Sequence, residues 1–154
     1  MAQDPPKPTL DLRSMTGLEQ LQAGMDGLLP APSIGATMGL ALDHLEKGLA
    51  RFVAQADARH LNPMGGVHGG FAATALDSAT GCAVHTALDP GETYGTVHLE
   101  VKMLRAVPMR TPLWAEAKLL RRSRNIGFAE GALRDADGVI YAHGSATCAI
   151  KQFG

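Results

Sequence analysis

Residues 70–88 read GFAATALDSATGCAVHTAL. Small and apolar side chains occupy most positions, so little polar surface is left to meet water. The stretch reads as one helix, from Gly70 to about Leu88, that the rest of the chain must cover. Asp77, the only acidic residue within it, is the oddest residue in the sequence. Upstream, Ala36, Met38, Leu40 and Leu42 alternate with smaller or polar residues. A turn near Glu46-Lys47-Gly48 follows, then Ala50, Phe52, Ala54 and Ala56, which predicts a hairpin. Downstream, Val97, Leu99, Val101 and Met103 mark one strand, and Leu113, Ala115, Ala117 and Leu119 mark a second. Ile126, Phe128 and Ala132 share one face of a third. Asp137-Gly138 signals the tight turn into a fourth, from Val139 to about Ile150. Short connections predict pairing between successive strands. A curved antiparallel sheet wrapped around a long central helix meets these demands, an α+β architecture.

The chain has 154 residues, 45% of them apolar, which suits one domain with a real core and excludes a disordered tail. Residues 1–13 read as a Pro-rich flexible lead and 14–154 as a single domain. Ser14 is expected to cap a helix reaching about Leu28, with Leu18, Leu21, Met25 and Leu28 at helical spacing and Pro30 and Pro32 ending it. The net charge of −1, without a block of like charges, argues against nucleic acid or an anionic membrane as partner. No run approaches the ~20 apolar residues of a membrane span. The start of the chain lacks a signal-peptide pattern, so a cytoplasmic location is expected. Cys82 and Cys148 lie in apolar surroundings and read as buried thiols, not a disulfide.

The chemistry is expected in Asn62-Pro63-Met64-Gly65-Gly66-Val67-His68-Gly69-Gly70 and at Asp77. Glycines before a helix let a ligand approach the backbone, and the first helical turn offers free amide donors and a partial positive charge. That suits an oxygen that turns negative during reaction; the plainer alternative is a loop that needs glycine only to turn. Asp77 lies eight residues beyond Gly69, roughly 12 Å along one helix, too far for its side chain to reach. If both serve one reaction, they come from different chains, and antiparallel packing of two such helices across a two-fold axis would bring them together. A carboxylate among alanines suits a general base, or a nucleophile that attacks directly; otherwise it bonds nearby backbone or marks a solvent face. His68 can orient substrate or hold the loop. Asn62 can bond a backbone group across the loop or fix a water. Thr96 can hydrogen-bond Asp77 or a water. His44, His60, His85, His98 and His143 show no zinc-ligand spacing and read as surface or strand residues. The Arg121-Arg122-Ser123-Arg124-Asn125 turn is basic, either simply solvated or a contact for phosphates.

The run from Asn62 through His68-Gly69-Gly70 to Asp77 resembles the hotdog-fold acyl-CoA thioesterases of the phenylacetic-acid-degradation type. The resemblance extends from about Gly35 to Ile150. It implies hydrolysis of an acyl-CoA to free acid and CoA. Asp77 is then base or nucleophile, and the Gly69 amide polarises the carbonyl. Asn62 and His68 position water or substrate, and Thr96 assists the acid. Gly70, Arg121, Ser123 and Arg124 bind substrate, although Ser123 replaces a glycine that many relatives carry in that turn. No metal or other cofactor is implied, since CoA enters with the substrate. The resemblance also implies a homodimer, or a tetramer of paired dimers, with sites at the dimer interface. A non-catalytic acyl-CoA binding module and a hydratase or dehydratase on the same fold are the alternatives. Phe71, Met64 and Met103 are candidates to line an acyl pocket or to be core, with aromatic and medium-chain acyl groups both open.

Overall fold

The computed structural model describes residues 10–154. The elements are α1 (Gly17–Met25), α2 (Ser33–Met38), β1 (Leu40–Glu46), β2 (Leu49–Ala54), α3 (Gly69–His85), β3 (Glu92–Met103), β4 (Leu113–Arg122), β5 (Ile126–Arg134) and β6 (Ile140–Gln152). All strand pairs are antiparallel, in the order β1-β2-β4-β5-β6-β3. The sheet curls around α3, which touches β2, β3, β4, β5 and β6.

Small residues make this wrap possible. Ala50, Ala54, Ala115, Ala117, Ala129, Ala142 and Ala146 of the sheet are buried, as are Ala72, Ala75, Ala79 and Ala83 of α3. Phe71, Leu76, Val84, Leu113 and Leu133 fill the space that remains. Burying a leucine such as Leu76 typically contributes about 3 kcal/mol relative to alanine. At Gly127 of β5 a Cβ would stand 2.6 Å from Val84 Cγ1, so glycine there sets how closely strand and helix approach.

The structure departs from the sequence expectations at several points. The first helix is capped by Thr16, not Ser14, and ends at Met25. Thr16 and Glu19 form a reciprocal capping box that satisfies two otherwise orphaned amides. Ser14 instead belongs to a 3₁₀ turn, Leu12–Ser14. Residues 1–9 of the expected lead lie outside the described residues. Ala36 and Met38 are helical, in α2, and the strand starts only at Leu40. Gly39, at φ +63°, stops the helix in the left-handed conformation, and a side chain there would strike the Gln55 carbonyl at 2.4 Å. Successive pairing fails at β3, which crosses to the far edge and pairs β6, while β4 pairs β2. A bulge between Thr96 and His98 leaves Val97 unpaired and 64% exposed. His60 and His85 are not surface residues. His60 is buried, its ring taking the Asp57 amide at 3.0 Å and meeting the Thr37 carbonyl at 2.9 Å. His85 is part-buried, and burial pushes it down to about 4.

Candidate active site

The loop before α3 is held by its own polar groups. Asn62 Oδ1 accepts from the amides of Met64 (2.9 Å) and Gly66 (3.2 Å), and the Asn62 amide donates to the Gly66 carbonyl at 2.8 Å. Asn62 thus ties the loop across itself. His68 is the N-cap of α3, its Nδ1 accepting from the Gly70 amide at 2.8 Å. Its carbonyl takes the Phe71 amide at 2.9 Å. A Cβ at Gly70 would meet His68 Nδ1 at 2.9 Å, so glycine makes room for this cap. Two of the first helical amides are therefore claimed. The Gly69 amide makes no hydrogen bond among the described residues, and Gly69 is exposed. This is an unclaimed donor at the positive end of a 17-residue helix.

A cavity of about 400 Å³ opens beside that amide, lined by Val67, Ala72, Met103, Val107 and Tyr141 with Arg105 in its wall. Of the expected pocket residues only Met103 takes part. Phe71 is wholly in the core, and Met64 is 90% exposed. Val107 had no motif to mark it.

Asp77 lies two turns further along α3 and is partly exposed, yet its Oδ1 is buried without a hydrogen-bond partner among the described residues. The thiols nearby are poor nucleophiles. Burial, and then the Asp77 charge, push the Cys82 thiol up to about 12. Burial also raises Cys148, against the lowering effect of its Thr96 contact. Both cysteines are free. Thr96 is exposed on the edge strand β3, with its hydroxyl 3.9 Å from Cys148 Sγ. Within one chain it makes no hydrogen bond to Asp77.

The basic turn lies elsewhere. Ser123 bonds the Ile126 carbonyl through its amide at 2.8 Å, and Arg121 and Arg124 are exposed. Arg122 is committed to structure, pairing with the buried Glu92 and with Asp89 at 3.1 Å. The turn leads into Gly127, which packs on Val84 at the other end of α3, roughly 22 Å from Gly69 along the helix axis. A single chain therefore brings His68, Gly69, Gly70 and Asn62 together and leaves Asp77, Thr96 and the arginines apart from them. Among the described residues no cluster of three or more His, Cys, Asp or Glu could hold a metal ion, and no helix is long and apolar enough to cross a membrane.

Residues 64–142, just over half of the chain, match the family model described as the thioesterase superfamily. A phenylacetic acid degradation-related protein of Ralstonia eutropha JMP134, assigned as a thioesterase, is 30% identical; the likeness covers 83% of this chain and 97% of that one with a TM-score of 0.75. The E. coli PaaI protein, from the phenylacetic acid degradation operon, has a TM-score of 0.76 over 90% of this chain and 94% of its own, at 17% identity that carries the fold alone. A protein of Halobacterium salinarum assigned as an esterase is 43% identical over 68 residues, 43% of this chain and 44% of its own length. The chain thus spans less than half of that relative. The hotdog fold expected from the motif is the fold observed, a curved six-stranded sheet around one long helix.

Proposed function

We propose, since the chain belongs to the thioesterase superfamily, that it hydrolyses an acyl-CoA thioester to the free acid and CoA. The observation that carries this reading is the unclaimed Gly69 amide beside a largely apolar cavity. A thioester carbonyl docked there accepts a hydrogen bond that strengthens as the oxygen gains charge. Asp77 supplies the second half, as a base that takes a proton from water or as a nucleophile that attacks the acyl carbon. In either course the carbon–sulfur bond breaks, the thiolate leaves as CoA and takes up a proton, and water supplies the oxygen of the acid. No metal or redox cofactor enters these steps.

Gly69 and Asp77 of one chain are two helical turns apart, so the reading requires a homodimer, alone or paired into a tetramer, in which Gly69 of one chain faces Asp77 of the other. Two observations favour a second copy. Among the described residues no strand pairs the outer edge of the twelve-residue β3, and Val97 (64%) and Met103 (51%) on it are exposed. Over residues 69–78 of α3 the partly exposed residues, Gly70, Ala73, Thr74, Asp77 and Ser78, form a stripe of short side chains that admits another helix closely. The same antiparallel arrangement would carry the Arg121–Arg124 turn of one chain toward the Gly69 end of the other, where Arg121 and Arg124 can meet CoA phosphates. Water-phase chemistry on CoA esters fits a cytoplasmic setting.

Thiol release from a panel of aromatic and medium-chain acyl-CoA esters tests this. Wild-type turnover should fall about 1,000-fold in Asp77→Asn, with the oligomer unchanged by light scattering. Equal turnover in both proteins, or none on any ester, removes the reading.

A further inference from the structure

Gly81 stands in the middle of α3, where glycine is a poor helix former. An alanine there would place its Cβ 2.9 Å from the Tyr94 hydroxyl oxygen and 3.2 Å from the ring edge. The missing side chain is what lets Tyr94 of β3 lie against the helix. The other end of that ring packs on His85, with centroids 5.3 Å apart at a 59° tilt. Positions 77, 81 and 85 recur every four residues and share one helix face. The tyrosine ring therefore lies against this face between His85 and Gly81, with its hydroxyl at Gly81, one turn from Asp77.

The groups that feel the Asp77 charge come from three elements: Cys82 on α3 itself, Tyr94 on β3 and Cys148 on β6. Burial holds all three in their protonated forms. A thiol is a weak donor and a phenol a strong one. Asp77 Oδ1 is buried and lacks a partner among the described residues. We propose that Tyr94 is a positioning residue for Asp77: its hydroxyl, which makes no hydrogen bond to Oδ1 in this structure, donates to it after a small rotation or through one water, holds the carboxylate in one rotamer and leaves the second oxygen for the reaction. The catalytic consequence rests on Asp77 being the base or nucleophile; the contact itself does not.

The test uses the full chain in its native oligomer. The Asp77 carboxylate stretches are isolated as the infrared difference between wild type and Asp77→Asn, both labelled with ¹³C-aspartate. Tyr94→Phe, which keeps the ring and loses the donor, should shift these bands, and should lower kcat about 10-fold with KM unchanged, the size of one lost hydrogen bond. Gly81→Ala keeps the tyrosine but pushes its hydroxyl aside, and should shift the same bands. Unchanged bands in Tyr94→Phe overturn the proposal, even if the rate falls, because the residue is then only packing. If Tyr94→Phe does not fold, unchanged bands in Gly81→Ala overturn it. A band shift in a protein that hydrolyses no thioester supports the contact and removes only the thioesterase reading.

Discussion

The two ends of α3 are finished in opposite ways. At the N-terminal end Gly69 faces outward, its amide unclaimed, with a cavity beside it. The C-terminal end is covered by α1. The Gly17 amide donates to the Leu88 carbonyl at 3.0 Å, and Gln20 bonds His85 at 3.0 Å. The Gly48 amide donates to the Thr86 hydroxyl at 2.7 Å. A helix leaves orphan donors at one end and orphan acceptors at the other. Here the last carbonyls of α3 are taken by the Thr86 amide and hydroxyl and by the Ala87 and Leu88 amides, and one donor at the other end is left unclaimed. Substitutions at the sealed end should therefore cost stability and spare chemistry, and a substitution at Gly69 should do the reverse, while loss of the His68 cap costs stability at the open end too.

The largest expected break is Gly17→Ala. Its Cβ would fall 1.7 Å from the His85 carbonyl oxygen, so α1 must shift off the helix end. A loss of about 3 kcal/mol is expected in urea denaturation, with turnover per folded molecule unchanged. Next comes pH. His85 is held neutral in the fold by burial, down to about 4, but charges in the unfolded chain below 6.5. Stability from this ring is complete above pH 6.5 and drains as pH falls toward 4, by on the order of 3 kcal/mol. His85→Gln should flatten that part of the urea-midpoint profile; an unchanged slope would assign it to other groups. At the open end, Gly69→Ala meets only the flexible Met103 tip at 3.3 Å. Stability should hold within about 0.5 kcal/mol, while kcat/KM falls about 10-fold as the methyl group crowds the amide. Smallest is His68→Ala, which removes the N-cap and should lower the thermal midpoint by an amount equivalent to about 1 kcal/mol.

Much of this contrast is legible in the sequence. The apolar run of 70–88 announced a covered helix, and His68-Gly69-Gly70 announced its open start. Asn62 and His68 hold the loop, one of the two roles open to each in the sequence. Other features were missed for identifiable reasons. Thr16 and Glu19 carry a capping-box spacing, yet Ser14 stands two residues away and competes as a cap. The six residues of α2 are too few to show a helical period, so Ala36 and Met38 passed as alternating strand residues. The burial of His60 depends on Thr37 and Phe71, neither adjacent to it in the chain.

What the sequence determined by itself is local: where the central helix starts, which glycines flank it, which residue carries a charge inside it, and where the tight turns fall. These follow from side-chain periodicity and backbone freedom over a few residues. What only the tertiary structure decided is which distant segments meet. It placed β3 at the sheet edge against β6, and it drew Arg122 out of its basic cluster toward Glu92. It also laid Tyr94 across Gly81, giving a reason for a glycine that weakens its own helix. Such pairings depend on how the whole sheet closes around α3, and no short stretch of the chain encodes that closure.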